Sequence, residues 1–213
     1  MKAFFRSVGC AALLGTSLMA QGNEGNAALY DAVPPADSAF VRVLNASAAP
    51  VEVSVSGKSN TLKISGVQMS SYVFMEQGER SIKVNDQAIT VPMASNTATT
   101  LVFDGSRLMP IQDEFSEDNR RAKVVFYNLT DAALKLKTLD GKHVIVDDVN
   151  GGQMGTRKVN EVKMTFAAFA GDAKVADFEE MFMRRGRSYS YVILGNGSGY
   201  SALTVTDHVE SLE

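Results

Sequence analysis

The chain has 213 residues, 45% apolar and 21% charged, an ordinary globular mix that excludes wholesale disorder and collagen-like repeats. Its one cysteine excludes an intramolecular disulfide framework, and one cysteine with two histidines cannot assemble a Cys/His zinc site of about four ligands. A net charge of -3 offers no basic field to nucleic acid or to an anionic membrane.

Residues 1–20 have the layout of a secretory signal peptide. Lys2 and Arg6 precede the uncharged run Val8–Leu14, and small residues end at Ala20 before a polar stretch. Cleavage is expected after Ala20, with Ala27 or Ala28 as the alternative. Cys10 sits near the beginning of the apolar run, whereas a lipidated cysteine would end it. Losing Lys2, Arg6 and Cys10 moves the net charge from -3 to -5 and leaves no cysteine. No later segment is apolar enough to span a bilayer, so a periplasmic protein is expected. Residues 21–37, with Pro34-Pro35, read as an extended lead.

Two copies of one β unit follow. Ala39–Asn45 alternates Val41 and Val43 against Arg42, and Val51–Ser56 alternates valines against Glu52, Ser54 and Ser56. The turn-rich Asn45–Pro50 predicts a hairpin between them. A shift of 83 residues lays Val41 on Val124, Asn45 on Asn128, Ser47 on Thr130 and Val53 on Leu136. Both copies end on a strand and a turn dipeptide, Asp104-Gly105 and Asn196-Gly197. Glycine-rich turns about every ten residues favour antiparallel strands over βαβ units. The predicted fold is all-β: two tandem antiparallel β-sandwiches at 38–108 and 122–208, and a tail at 209–213. The acidic segment 109–121 between them reads as a solvated linker, with relative motion of the domains as the default. Further strands are expected at Leu62–Ile64, Ser71–Phe74, Ser81–Val84, Ala88–Val91, His143–Val146, Val159–Ala167, Lys174–Phe178 and Arg187–Leu194. Glu179–Arg185 fits one helical turn or a strand edge.

The chemistry is mostly negative. A Ser-His-Asp hydrolase needs a histidine held by a carboxylate. His143 falls beside a hairpin turn, and His208 falls in a tail expected to fray. G-x-S-x-G is absent, and Gly195–Gly199 lacks the Lys-Ser/Thr and helix of a phosphate loop. Asp147-Asp148 has no calcium-loop spacing. No catalytic residue, cofactor or metal ligand is therefore assigned. Asn45, Asn128 and Asn196 head formal glycosylation sequons but read more simply as turn formers. Arg184, Arg185 and Arg187, with Arg157 and Lys158 near, form a candidate basic patch for an acidic partner, or a charged loop keeping a sheet edge soluble. Met181, Phe182 and Met183 form an apolar cluster beside it.

The run Ala28-Leu29-Tyr30, Pro34-Pro35, Ser38–Val43 and Asn45-Ala46-Ser47 resembles the family of periplasmic alginate O-acetylation accessory proteins, AlgF. Asn128-Leu129-Thr130, Leu134–Thr138 and Asp140-Gly141-Lys142 resemble that family's second domain. Departures are Asp31-Ala32, where the family tends to carry Gly-Pro, and a more acidic linker. Related accessory proteins serve cellulose acetylation, so the polymer stays open.

The resemblance implies a non-enzymatic adaptor that links SGNH-type periplasmic and membrane-bound polysaccharide O-acetyltransferases, which carry the Ser-His-Asp chemistry. Leu29, Tyr30, Arg184, Arg185 and Arg187 are the candidate interaction surface. One alternative is a carbohydrate-binding module presenting the polymer, against which the absence of Trp counts. Another is an acetyl carrier or esterase using a serine and His143.

Overall fold

A computed structural model describes residues 32–114, 118–195, 197 and 199–212. The expected signal peptide, most of the lead with Leu29 and Tyr30, and Asn196 of the last turn lie outside the described residues. The described residues form strands and no helix. The first half contributes β1 (Ala39–Asn45), β2 (Val51–Val55), β3 (Leu62–Ile64), β4 (Gln68–Met69), β5 (Tyr72–Met75), β6 (Gly78–Val84), β7 (Gln87–Met93), β8 (Ala98–Phe103) and β9 (Leu108–Asp113). The second contributes β10 (Ala122–Leu129), β11 (Leu134–Thr138), β12 (Val144–Val149), β13 (Gln153–Val159), β14 (Val162–Met164), β15 (Phe166–Ala170), β16 (Ala173–Asp177), β17 (Met181–Met183), β18 (Ser188–Gly195), β19 (Tyr200–Thr206) and the short β20 (Val209–Glu210).

Each half is a β-sandwich. In the first, the sheet β20-β5-β1-β8-β9, with β4 also on β1, faces β3-β2-β6-β7. In the second, β13-β10-β18-β19 faces β12-β11-β15-β16, with a β14-β17 ribbon. Pairing is antiparallel except at β1–β8, β10–β18 and β20–β5, so each sandwich holds a central parallel pair in the same place. Alternation decides the cores. Val41, Val43, Val53, Ile82 and Leu101 fill the first, and Val124, Phe126, Leu136, Phe166 and Tyr191 fill the second.

The predicted hairpin between Ala39–Asn45 and Val51–Ser56 does not form. β1 and β2 lie in opposite sheets, and the chain arches between them. Asn45 holds the arch: its Nδ2 donates to the carbonyls of Ala49 (2.8 Å) and Ser65 (2.9 Å), and its Oδ1 accepts from the Ser47 N–H (3.1 Å) and Oγ–H (2.7 Å). Asn128 repeats the device, donating to Ala132 and Val149 (both 2.7 Å) and accepting from the Thr130 N–H (3.1 Å) and Oγ1–H (2.7 Å). Both asparagines are fully buried with their amides engaged, so these two sequons are turn chemistry and not acceptor sites for glycan. Gly66 and Gly151 sit against the two arches, where a Cβ would collide with the carbonyl oxygens of Ala48 and Thr130.

Two expected boundaries move. The linker was expected from residue 109, but β9 runs to Asp113 and pairs with β8 along its length. The tail, expected at 209–213, returns to the first sandwich. Val209 and Glu210 pair with Tyr72 and Val73, and Leu212 is buried in the first core. Strands β13 and β19 were not anticipated, and the expected strand Val159–Ala167 is broken at Asn160-Glu161 and at Thr165, so that it falls across β13, β14 and β15.

The two β1-containing and β10-containing sheets also pack on each other. Leu44, Met69, Val102 and Ile111 from the first sandwich meet Val125, Tyr127, Val192 and Leu194 from the second in a third apolar cluster. The layers therefore stack four deep, and β1 and β8 are buried on both faces. Each such side chain contributes about 1.5–3 kcal/mol of burial. Residues 31–213 form one compact unit, so the expected free motion of two domains on a linker gives way to a packed seam.

Two predictions follow from these turns. Replacing Asn128 by Ala leaves the Ala132 and Val149 carbonyls short of a donor in the core. Urea unfolding should then show a loss of about 1–3 kcal/mol, matched by Asn45→Ala. Asp104, in the β8–β9 turn, is pushed up by burial. It is pulled down more strongly by hydrogen bonds from Ser106 and Arg107, to about 2. Its contribution is present above the ordinary carboxylate range and lost as pH falls through about 4 to 2. Asp104→Asn should cost under about 1 kcal/mol at pH 7, with the gap to wild type closing over that acid window.

Candidate functional site

The seam carries a buried ionic network built on one residue, Arg42. In β1 the odd positions Val41 and Val43 point into the first core, which turns Arg42 toward the second sandwich. It is 2% exposed. Its Nε donates to Thr100 Oγ1 (2.9 Å), one terminal nitrogen to Asp207 Oδ1 (2.7 Å), and the other to Tyr127 Oη (2.7 Å) and Ser190 Oγ (2.9 Å). The Tyr72 ring lies 4.1 Å from its guanidinium carbon. A second carboxyl group, Asp113, accepts from Tyr72 (2.6 Å), Thr100 (2.6 Å) and Tyr127 (2.5 Å). Burial opposes the charge on Arg42, yet Asp207, the two tyrosines and Asp113 raise its pKa well above the ordinary value. Burial likewise pushes the Tyr127 hydroxyl up, so it stays a donor to Asp113. Tyr127, Ser190 and Asp207 come from the second half of the chain, so one guanidinium joins both sandwiches.

A cleft of about 180 Å³ opens beside this network. Phe40, Ala98 and Tyr72 of the first sandwich line one side. Lys123, Arg187 and Ser188 line the other, with Glu114 and Asp207–Val209 completing the wall. Lys123 is half-buried, and its pKa is lowered, chiefly by burial. Asp207 Oδ2 is buried without a hydrogen-bond partner among the described residues.

The anticipated basic patch is divided. Arg184 and Arg185 are exposed in the turn after β17, with Arg184 over the Phe182 ring at 5.5 Å. Arg187 lines the cleft instead. Arg157 donates to the carbonyls of Val144 and Ile145, and Lys158 pairs with Asp118 at 3.4 Å. Glu179–Arg185 contains a strand, β17, not a helical turn. Met183 belongs to the second core, while Phe182 is exposed. His143 is exposed at its turn. His208, expected in a fraying tail, accepts the Tyr72 N–H at its carbonyl (2.9 Å) and lines the cleft. Among the described residues, no group of three or more His, Cys, Asp or Glu side chains is placed to hold a metal. Sequence reasoning missed Arg42, Lys123, Asp113 and Asp207. The one available signal was an arginine between core valines, which alternation alone assigns to solvent.

Arg42→Met should cost about 3–5 kcal/mol in urea unfolding, because Asp207 and Asp113 lose their buried counter-charge. Arg42→Lys should recover only part of this, since an ammonium cannot supply the planar fork of donors.

A family model described as Alginate O-acetyl transferase AlgF matches residues 11–190. The protein from Pseudomonas syringae pv. tomato named Alginate biosynthesis protein AlgF is 35% identical over 198 residues, covering 92% of this chain and 89% of that one. Solved structures of the C-terminal and N-terminal domains of AlgF from P. aeruginosa cover 41% and 38% of this chain and 98% and 99% of their own. Their identities are 34% and 25%, with TM-scores of 0.38 and 0.35. The extent of the family match, together with this identity over most of both chains, establishes that the chain belongs to the AlgF family.

Proposed function

We propose that this chain is an exported, non-catalytic scaffold for O-acetylation of alginate or a similar polysaccharide, holding acetyltransferases together by protein–protein contact. The observation that carries this reading is the seam. Two sandwiches locked by Arg42 and an apolar cluster make one body whose outer sheets, at about 10 Å per layer, lie about 30 Å apart. Such a body sets a fixed spacing and orientation between two bound proteins. A flexible tether would raise only their effective concentration. The family membership supports the biosynthetic setting, and the signal-peptide layout of residues 1–20 supports export.

A carbohydrate-binding role has one observation in its favour: Phe182 is 45% exposed with Arg184 stacked over it, a small aromatic and cationic platform. Its position on a three-residue strand gives it little area, so the scaffold reading is preferred.

The purified protein should bind the cognate periplasmic and membrane-bound acetyltransferases in biolayer interferometry and should hydrolyse no acetyl ester above the buffer rate. Absence of binding to every one of them, or enzyme-like ester turnover, would overturn the proposal.

A further inference from the structure

We propose that the cleft at the seam receives a carboxylate side chain from a protein partner, with Lys123 as its counter-ion; that the partner is a protein rests on the scaffold reading above. In β10 the even positions Val124 and Phe126 fill the second core, so Lys123 shares the seam face with Val125 and Tyr127 and reaches the cleft. Among the described residues, no hydrogen bond or ion pair engages its ammonium group. The acids nearby hold hydrogen bonds elsewhere: Asp207 through Oδ1 to Arg42 and Ser190, Glu114 through Oε2 to Thr156 (2.6 Å), and Asp113 to three hydroxyls. Their fields reach Lys123, as does that of Arg42, but burial outweighs them and lowers its pKa.

A half-buried ammonium without a close counter-ion is a poor structural element and a good receptor. Part of the lysine's desolvation has already been incurred, so an incoming carboxylate gains more by pairing here than at a fully exposed lysine. Arg187 adds a second cation, Ser188 a hydroxyl, and Phe40 and Ala98 an apolar wall for the methylenes of a glutamate. The cleft, of about 180 Å³, has room for one side chain. A polyuronate is the other carboxylate source. Its charge on every residue would meet Glu114 at the rim and a chain of net charge -3. A single carboxylate carried on a folded protein brings one charge against that repulsion in place of a row of them.

The test is an NMR titration of the ¹⁵N-labelled protein with acetyl-Ala-Glu-Ala-amide, the matching glutamine peptide and a uronate trisaccharide. The glutamate peptide should saturably shift the amides of residues 123, 187, 188 and 207–209, with the glutamine peptide at least tenfold weaker. Lys123→Gln should abolish the response and Lys123→Arg retain it. Neither variant should fall below the wild-type urea midpoint, since burial disfavours this ammonium and it has no close partner to lose. Equal response to the two peptides, or a shift that survives Lys123→Gln, would overturn the proposal. So would tighter saturation of the same signals by the trisaccharide. In acetyltransferase binding, wild type binding while Lys123→Gln binds at least tenfold more weakly supports the cleft. Equal binding by both defeats the cleft and leaves the scaffold standing. Failure of wild type to bind defeats the scaffold, and the peptide titration still decides whether the cleft takes a carboxylate.

Discussion

A guanidinium stays charged at any pH a protein survives, so burying one obliges the structure to surround it with acceptors. Arg42 is the residue that imposes this demand. Its partners come from β8, β10, β18 and the segment after β19, and the farthest, Asp207, lies 165 residues along the chain. Pulling the sandwiches apart would strand Arg42, Asp207 and Asp113 together, each without the groups that satisfy it. The apolar cluster around Leu44 and Val192 provides attraction without direction, while the network around Arg42 fixes which face meets which. The returning C-terminal strand adds a covalent path between them, because β19 belongs to the second sandwich and β20 to the first.

Much of the fold can be read from period-two alternation. Val41, Val43, Val51, Val53 and Val55 point inward as their spacing demands, and Asn45 and Asn128 occupy equivalent arches. What alternation cannot report is a strand buried on both faces. Phe40, Arg42 and Leu44, or Ser188, Ser190 and Val192, look like a mixed solvent face until a second sheet covers them. The polar members Arg42, Thr100 and Ser190 are there because the seam is partly ionic. Strand β13 escaped notice because Gln153–Val159 has few apolar residues, and β20 because two residues carry no period. The anticipated hairpin failed for a related reason: Asn-x-Ser marks a change of direction, and only the hydrogen-bond donors of Asn45 reveal that the chain changes sheet.

Lys123 and His208 show the same limit at the cleft. Neither belongs to a motif, and they meet because the parallel β10–β18 pair and the segment after β19 converge at one end of the seam. On the proposed scaffold reading, a protein that works through contact surfaces has no need of a compact catalytic signature. Its informative residues are scattered along the chain and are assembled only by topology. The rigidity of the assembled body then becomes the property on which a spacing function depends.

Residual dipolar couplings measured on the weakly aligned protein address that rigidity directly. A single alignment tensor should fit the backbone amides of β1–β9 and β10–β19 together, with one magnitude and one orientation. Two tensors of different magnitude would contradict a locked seam and restore a picture of two sandwiches moving independently.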